Sequence, residues 1–203
     1  ESQIALAREF ATSGAVISAG VGPAGAGKTT SMKLFTDAIT AGGGKVSALA
    51  PSRQAASVLG SELGASATTI DAWLLSENTL SPGDVVLIDE AGMAGTRHIR
   101  EVAARAEAKG ARVRLIGDYR QLAAIQSGGA LRLIHQMAGG AELEDVFRFA
   151  DHDERQASLV LRDADADRSN PFQWYIDHDR ARAASADHAA GEAFQAWQRD
   201  TND

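Results

Sequence analysis

Gly22-Pro23-Ala24-Gly25-Ala26-Gly27-Lys28-Thr29 fits the pattern G-x-x-x-x-G-K-[ST], in which glycines let successive backbone N–H groups wrap an anion. The helix opened by such a loop adds positive partial charge at its first turn. Lys28 then reaches the β- and γ-phosphates of ATP, and Thr29 is expected to bind the magnesium ion of Mg-ATP through its hydroxyl. The expected nucleotide-binding set is Gly22, Pro23, Ala24, Gly25, Ala26, Gly27, Lys28, Thr29 and Thr30. Further along, Leu87-Ile88-Asp89-Glu90 places two adjacent acids after an apolar run. Asp89 is suited to hold magnesium and Glu90 to orient and deprotonate an attacking water. An isolated acid pair could equally start a helix; downstream of a phosphate loop, the metal-and-base reading is preferred. In Gly117-Asp118-Tyr119-Arg120-Gln121-Leu122, Gln121 could hydrogen-bond both the γ-phosphate and the attacking water. Alone, that segment reads as a polar turn.

Chemistry of this kind requires strands that end where these residues begin. Residues 15–21 form a plausible strand before the glycine-rich loop. A helix is expected from near Thr29, with Met32, Leu34, Phe35 and Ile39 as its apolar positions, ending at Gly42-Gly43-Gly44. Residues 45–50 make the next strand, Pro51-Ser52 breaks and caps, and residues 54–63 carry helical spacing. Val85-Val86-Leu87-Ile88 is β-branched-rich and continuously apolar, the pattern of a central strand buried on both faces. A helix over 96–109 follows, with Ile99, Val102, Ala103 and Ala106 on one face; then come a strand at Val113-Arg114-Leu115-Ile116 and a helix over 129–137. Short apolar runs alternating with helical patterns read as an α/β fold, a parallel sheet with helices on both faces. Beyond Gly139-Gly140 acids and alanines rise and apolar runs thin. The expected division is an α/β domain over 1–149 and a mainly helical tail over 150–203.

The 203 residues contain no cysteine and carry a formal net charge of −7, so neither a disulfide framework nor a thiolate metal site is available. An acidic average ordinarily argues against nucleic acid. Much of the acid lies late, however, in runs such as Asp163-Ala164-Asp165-Ala166-Asp167, which read as solvated turns. No stretch is apolar and long enough for a bilayer span, so no membrane partner is expected and the cytoplasm is the default. The start at Glu1 without a signal pattern reads as that of an excised piece. His98, His135 and the other histidines show no ligand spacing, and no metal beyond nucleotide magnesium is expected.

The order and wording of these motifs resemble superfamily 1 helicases of the RecD-like branch, which includes the motors of conjugative relaxase-helicases. Residues 22–30 look like motif I. Ala50-Pro51-Ser52-Arg53-Gln54-Ala55-Ala56 looks like motif Ia, Thr68-Thr69-Ile70-Asp71 like the segment that follows it, and Ile88-Asp89-Glu90-Ala91-Gly92-Met93 like motif II. The run from Gly117 to Leu122, continued by Ala124-Ile125-Gln126-Ser127-Gly128-Gly129, is similar to motif III. Leu143-Glu144-Asp145-Val146-Phe147-Arg148-Phe149 looks like motif IV, with Phe149 where a glutamine often stands.

The resemblance implies a RecA-like P-loop NTPase domain, the first of two motor domains, driving 5′ to 3′ movement on single-stranded DNA with ATP and Mg2+. It implies catalytic roles for Lys28, Glu90, Gln121 and Arg148, the last approaching the γ-phosphate. Metal ligation falls to Thr29 and Asp89, and Gln3 sits where the family often reads the adenine edge. Ser52, Arg53, Thr69 and Ser127 become candidate DNA contacts, although Ser52 and Thr69 also suit helix caps. Trp73 could stack on a base, but its spacing with Ile70 and Leu74 suits a core. Trp174, Tyr175 and Trp197 are expected to pin the tail helices to the main domain. Residues 156–163 are similar to the opening of the second motor domain, whose later motifs, including another arginine, have no match here. That missing domain is the expected protein partner, oligomeric state is undetermined, and the isolated chain should bind nucleotide better than it hydrolyses it. Two other readings stay open: a self-contained ATPase or nucleotide switch that does not engage DNA, and a degenerate helicase fold kept for protein contacts.

Overall fold

The computed structural model describes residues 1–120, 129–143, 149, 151–162, 172–181 and 185–200. They form two compact units, Glu1–Ala150 and Asp151–Asp203. The first contains α1 (Ser2–Thr12), β1 (Ile17–Val21), α2 (Lys28–Ala41), β2 (Val46–Ala50), α3 (Arg53–Leu63), β3 (Ala67–Thr69), α4 (Ile70–Leu75), β4 (Val85–Ile88), α5 (Thr96–Ala108), β5 (Arg112–Gly117) and α6 (Ala130–Ala138).

All five strands are parallel, in the order β1-β5-β4-β2-β3. Each strand-to-strand connection must therefore cross a face of the sheet, and helices carry it. Alternation along β4 fixes the two layers. Val86 and Ile88 share a core with Ile70, Trp73, Ile99, Val102 and Leu131 from α4, α5 and α6. Val85 and Leu87 share the other with Phe10, Met32, Phe35, Leu59 and Leu63 from α1, α2 and α3. Burial on both faces explains why β4 has no polar position. The α/β expectation holds, with β4 in the middle as its composition predicts.

One expectation needs correction, and two features lie beyond what the sequence suggested. Leu34, counted among the apolar positions of α2, is 42% exposed, the inner face of that helix being carried by Met32 and Phe35. The change of character at Gly139-Gly140 does not end the sheet's influence: Val21 N donates to Ala141 O at 3.0 Å and Leu143 N donates to Val21 O at 2.7 Å, so residues 141–143 line the outer side of β1. Helix α1 was not foreseen. It packs Phe10 edge-on against Phe35, ring centroids 5.7 Å apart. Its approach to β1 is close enough that a Cβ at Gly20 would lie 2.5 Å from Leu6 Cδ1.

A buried arginine fastens α1 to the sheet. Arg114 of β5 is 1% exposed. Its guanidinium donates to Phe10 O (2.8 Å), Ser13 O (3.0 Å), Ala15 O (3.2 Å) and Val113 O (3.0 Å). The carbonyls at a helix C-terminus lack intrahelical partners and carry negative partial charge, so a cation there satisfies both. Burial, aided by neighbouring Arg112, brings the Arg114 pKa down to about 10, leaving it charged at neutral pH.

The second unit contains α7 (His152–Arg162), α8 (Gln173–Asp177) and α9 (Ala186–Asp200). Buried Glu154 of α7 accepts from Arg180 Nη1 at 2.6 Å. Trp174 stacks on His178 with ring centroids 4.0 Å apart and meets Tyr175 edge-on. Trp197 is 59% exposed and lies beside Phe194. Among the described residues no helix is long and apolar enough to cross a membrane. Residues 163–167 lie outside the described residues.

Arg114→Met keeps bulk but leaves buried carbonyls without a donor, and is expected to cost ~2–4 kcal/mol. Urea unfolding should show the loss, with hydrogen exchange in α1 accelerated before that in β4. A stability change below about 0.5 kcal/mol would contradict this account of the bond network.

Candidate nucleotide site

The glycine-rich loop leaves β1 at the sheet edge where β4 and β5 also end, because the three strands are parallel and adjacent in register. Gly22 N donates to Gly117 O at 3.1 Å, tying the start of the loop to the end of β5. Gly27 holds φ 83° immediately before α2, a left-handed turn that a side chain would resist. The same glycine leaves room for Gln3, whose Nε2 would lie 2.7 Å from an added Cβ. Gln3 Nε2 donates to Ala26 O at 3.4 Å. Helix α1 thus delivers Gln3 onto the loop.

Lys28 curls back over the loop and donates to Gly22 O (2.8 Å) and Pro23 O (2.9 Å). Thr29, half-buried on the first turn of α2, donates from Oγ1 to Glu62 Oε2 at 3.2 Å. Thr30 on the same turn is exposed.

The two acids follow β4. Asp89 N donates to Leu49 O at 2.9 Å, continuing the pairing with β2. Glu90 then takes φ 49°, an uncommon left-handed value for a residue with a side chain. Asp89 Oδ1 accepts from Glu90 N at 2.8 Å. Burial pushes the Asp89 carboxyl from 3.8 up to about 6, and the charges of Glu90 and Glu62 push the same way; the Glu90 amide and the Lys28 ammonium oppose them. Lys28 and Asp89 therefore sense each other's charge across the edge of the sheet. Exposed Glu90 stands with Asp89 at an open cleft of about 290 Å³, also lined by Ser52, Gln54, Ala55 and Val58.

These features fit a nucleotide with its cation. A lysine and helix start lie beside a glycine cradle, and a hydroxyl and a half-buried carboxylate offer hard oxygen donors suited to magnesium. Gln3, the loop, Lys28, Thr29, Asp89 and Glu90 are gathered at one edge. Gln121, Ser127 and Arg148 lie outside the described residues. Ser52 and Thr69 have structural work: each caps a helix, Ser52 Oγ accepting from Ala55 N and Thr69 Oγ1 from Ala72 N, both at 3.1 Å. Arg53 is exposed. Trp73 is 4% exposed in the core and has no face free for stacking on a base. Among the described residues no cluster of three or more His, Cys, Asp or Glu is arranged as a metal site. Sequence reasoning missed Glu62, whose single acid in a helix carries no motif, and Arg114, which reads as one residue of a strand.

The fold and this edge define a P-loop nucleotide-binding domain of the RecA-like kind, with β5 inserted between the loop strand and the acid strand. The chain belongs to the AAA domain family, whose profile matches residues 1–186. It is 38% identical over 149 residues to the probable conjugal transfer protein TraA of Sinorhizobium fredii, covering 71% of this chain and 14% of that protein. It is 34% identical over 137 residues to the ATP-dependent RecD2 DNA helicase of Deinococcus radiodurans, covering 64% of this chain and 19% of that protein. A solved complex of the arterivirus nonstructural protein 10 helicase with DNA covers 70% of this chain and 37% of that one, at 14% identity and TM-score 0.43. The chain thus spans a small fraction of the curated relatives it matches. The resemblance drawn from the motifs is borne out at the level of the family: this is a helicase-like AAA domain related to TraA and RecD2.

Because Asp89 ionises at a higher pH folded than unfolded, its charge costs stability, fully so above about pH 6, and the cost disappears as pH falls below about 3.8. Asp89→Asn retains an oxygen for the Glu90 amide. With solvent screening discounted, it is expected to stabilise the nucleotide-free domain by ~1–2 kcal/mol at neutral pH. Urea midpoints compared near neutrality and near pH 4 check this; an advantage that is absent at neutrality, or as large at pH 4, contradicts it.

Proposed function

We propose that this chain is the ATP-binding first motor domain of a 5′–3′ DNA helicase, of the kind found in conjugative relaxase-helicases. In the whole protein it would couple ATP hydrolysis to movement along single-stranded DNA. The observation that carries the reading is the convergence of the Lys28 loop with Asp89 and Glu90 at one edge of the sheet, close enough for Lys28 to act on Asp89.

On binding ATP, Lys28 exchanges the carbonyls of Gly22 and Pro23 for the β- and γ-phosphates, a gain because charge-assisted bonds to phosphate are stronger than bonds to neutral carbonyls. Backbone N–H groups between Ala24 and Thr30 hold the remaining phosphate oxygens. Gln3, already against the loop, reads the adenine edge. Thr29 and Asp89 would hold a magnesium ion, which would neutralise phosphate charge there. Glu90, exposed at the cleft, orients the attacking water and accepts its proton. Gln121 and Arg148 complete the set on the γ-phosphate side, Gln121 signalling nucleotide state to bound DNA and Arg148 approaching the phosphate. Ser52, Arg53, Thr69 and Ser127 are assigned to the DNA backbone; Ser52 lines the cleft beside the acids, and it and Thr69 would contact phosphate while continuing to cap.

Residues 1–149 form the motor domain in this reading, and 150–203 open a second one whose remaining parts lie in the parent protein. Closure of two domains around ATP is what completes such a site. A self-contained ATPase indifferent to DNA is the second reading, favoured by the net charge of −7 and by the capping bonds of Ser52 and Thr69.

ATP binding and hydrolysis with magnesium, measured with and without a single-stranded oligonucleotide, separate the two. The expected result is binding with little turnover, and a loss of affinity of roughly 30-fold or more in Lys28→Ala. Unchanged ATP affinity in Lys28→Ala would overturn the site, and vigorous turnover indifferent to DNA would transfer the assignment to the self-contained ATPase.

A further inference from the structure

Glu62 stands in the last turn of α3, where the helix dipole favours a cation and the turn contains no basic residue. Its neighbours Leu59 and Leu63 are buried with Met32 and Phe35 of α2 in the same core, so the two helices are packed rigidly together while Glu62 remains exposed. Gly64, at φ 63°, ends the helix two residues later. An acid placed against the local dipole has a cost on its own helix, and such costs are characteristic of residues kept for a task elsewhere. The visible task is the bond from Thr29: Oγ1 donates to Glu62 Oε2 at 3.2 Å.

A hydroxyl has one proton and two lone pairs. To coordinate a cation through a lone pair it must direct the proton away, and that proton needs an acceptor on the far side. Glu62 supplies one. The electrostatic influence of Glu62 on Asp89 puts its negative charge within reach of the same edge of the sheet. Neither the glycine-rich loop motif nor the acid pair after β4 includes this residue.

We propose that Glu62 is a positioning residue for the magnesium side of the nucleotide site, accepting the Thr29 O–H hydrogen bond so that the oxygen lone pairs face the cation. This rests on the nucleotide reading above and adds to it a third helix, α3, that shapes how the cation is held. Glu62 acts through Thr29 and through its charge, and is not itself assigned contact with phosphate. Its favourable influence is therefore confined to binding in the presence of magnesium.

Calorimetric titration of ADP into the full chain, once with magnesium and once with EDTA, tests this in the wild type, Glu62→Ala and Glu62→Gln. Glu62→Ala is expected to weaken ADP binding about fivefold with magnesium, the worth of one hydrogen bond, to raise the magnesium concentration giving half-maximal binding, and not to weaken binding in EDTA. Glu62→Gln, whose amide oxygen still accepts the Thr29 O–H hydrogen bond, should recover part of the loss. Wild-type affinity in Glu62→Ala with magnesium overturns the proposal, and so does an equal loss with and without magnesium, which would mark a purely structural role. Failure of the unsubstituted chain to bind ADP would overturn the nucleotide assignment itself, an outcome visible before any substitution is made.

Discussion

Parallel pairing of β1, β5 and β4 is the constraint from which the rest of this molecule follows. Parallel strands deliver their carboxyl ends to one edge, so any loop that leaves them emerges beside its neighbours. Here that edge receives the glycine-rich loop from β1, the acid pair from β4 and the Gly117-Asp118 turn from β5. The bond from Gly22 N to Gly117 O shows how directly the loop depends on this arrangement. The pairing in turn needs both faces covered, which is why the strands are apolar and the polar chemistry begins only where they stop.

Local rules are broken at that edge, and the stability of the sheet tolerates it. Glu90 adopts a left-handed backbone, Asp89 keeps a carboxyl in surroundings that oppose its charge, and Glu62 faces the wrong end of its helix dipole. Each feature is unfavourable where it stands. Together they concentrate negative charge opposite Lys28 and around Thr29, which suits a cation and a phosphate chain better than it suits the protein alone.

Helix α1 reaches the site from the same face of the sheet as α2 and α3. Its C-terminus is fixed by Arg114 from β5 and its N-terminus rests Gln3 on the loop. One strand therefore anchors the helix carrying Gln3 and, at its carboxyl end, bonds the start of the phosphate loop. The position of Gln3 is accordingly set by a buried network of charge-assisted hydrogen bonds to backbone carbonyls as well as by apolar packing.

The sequence by itself determined the α/β class, most element positions in the first unit, and the loop and acid pair of the site, because hydrophobic period and the spacing of glycine, lysine and paired acids are local properties of the chain. It also carried the family resemblance, since motif order survives without coordinates. Helix α1 was hidden because it has no side-chain cap and no acid in its first turn. Three-residue β3 was hidden because it is too short for alternation to show. Only the tertiary structure decided that β5 lies between β1 and β4, that residues 141–143 join the edge of β1, that Leu34 faces solvent, that Arg114 is buried, and that Glu62 meets Thr29. These are pairings between residues far apart in the chain, whose partners are chosen by how helices and strands pack, and no periodicity or motif within either segment encodes the other.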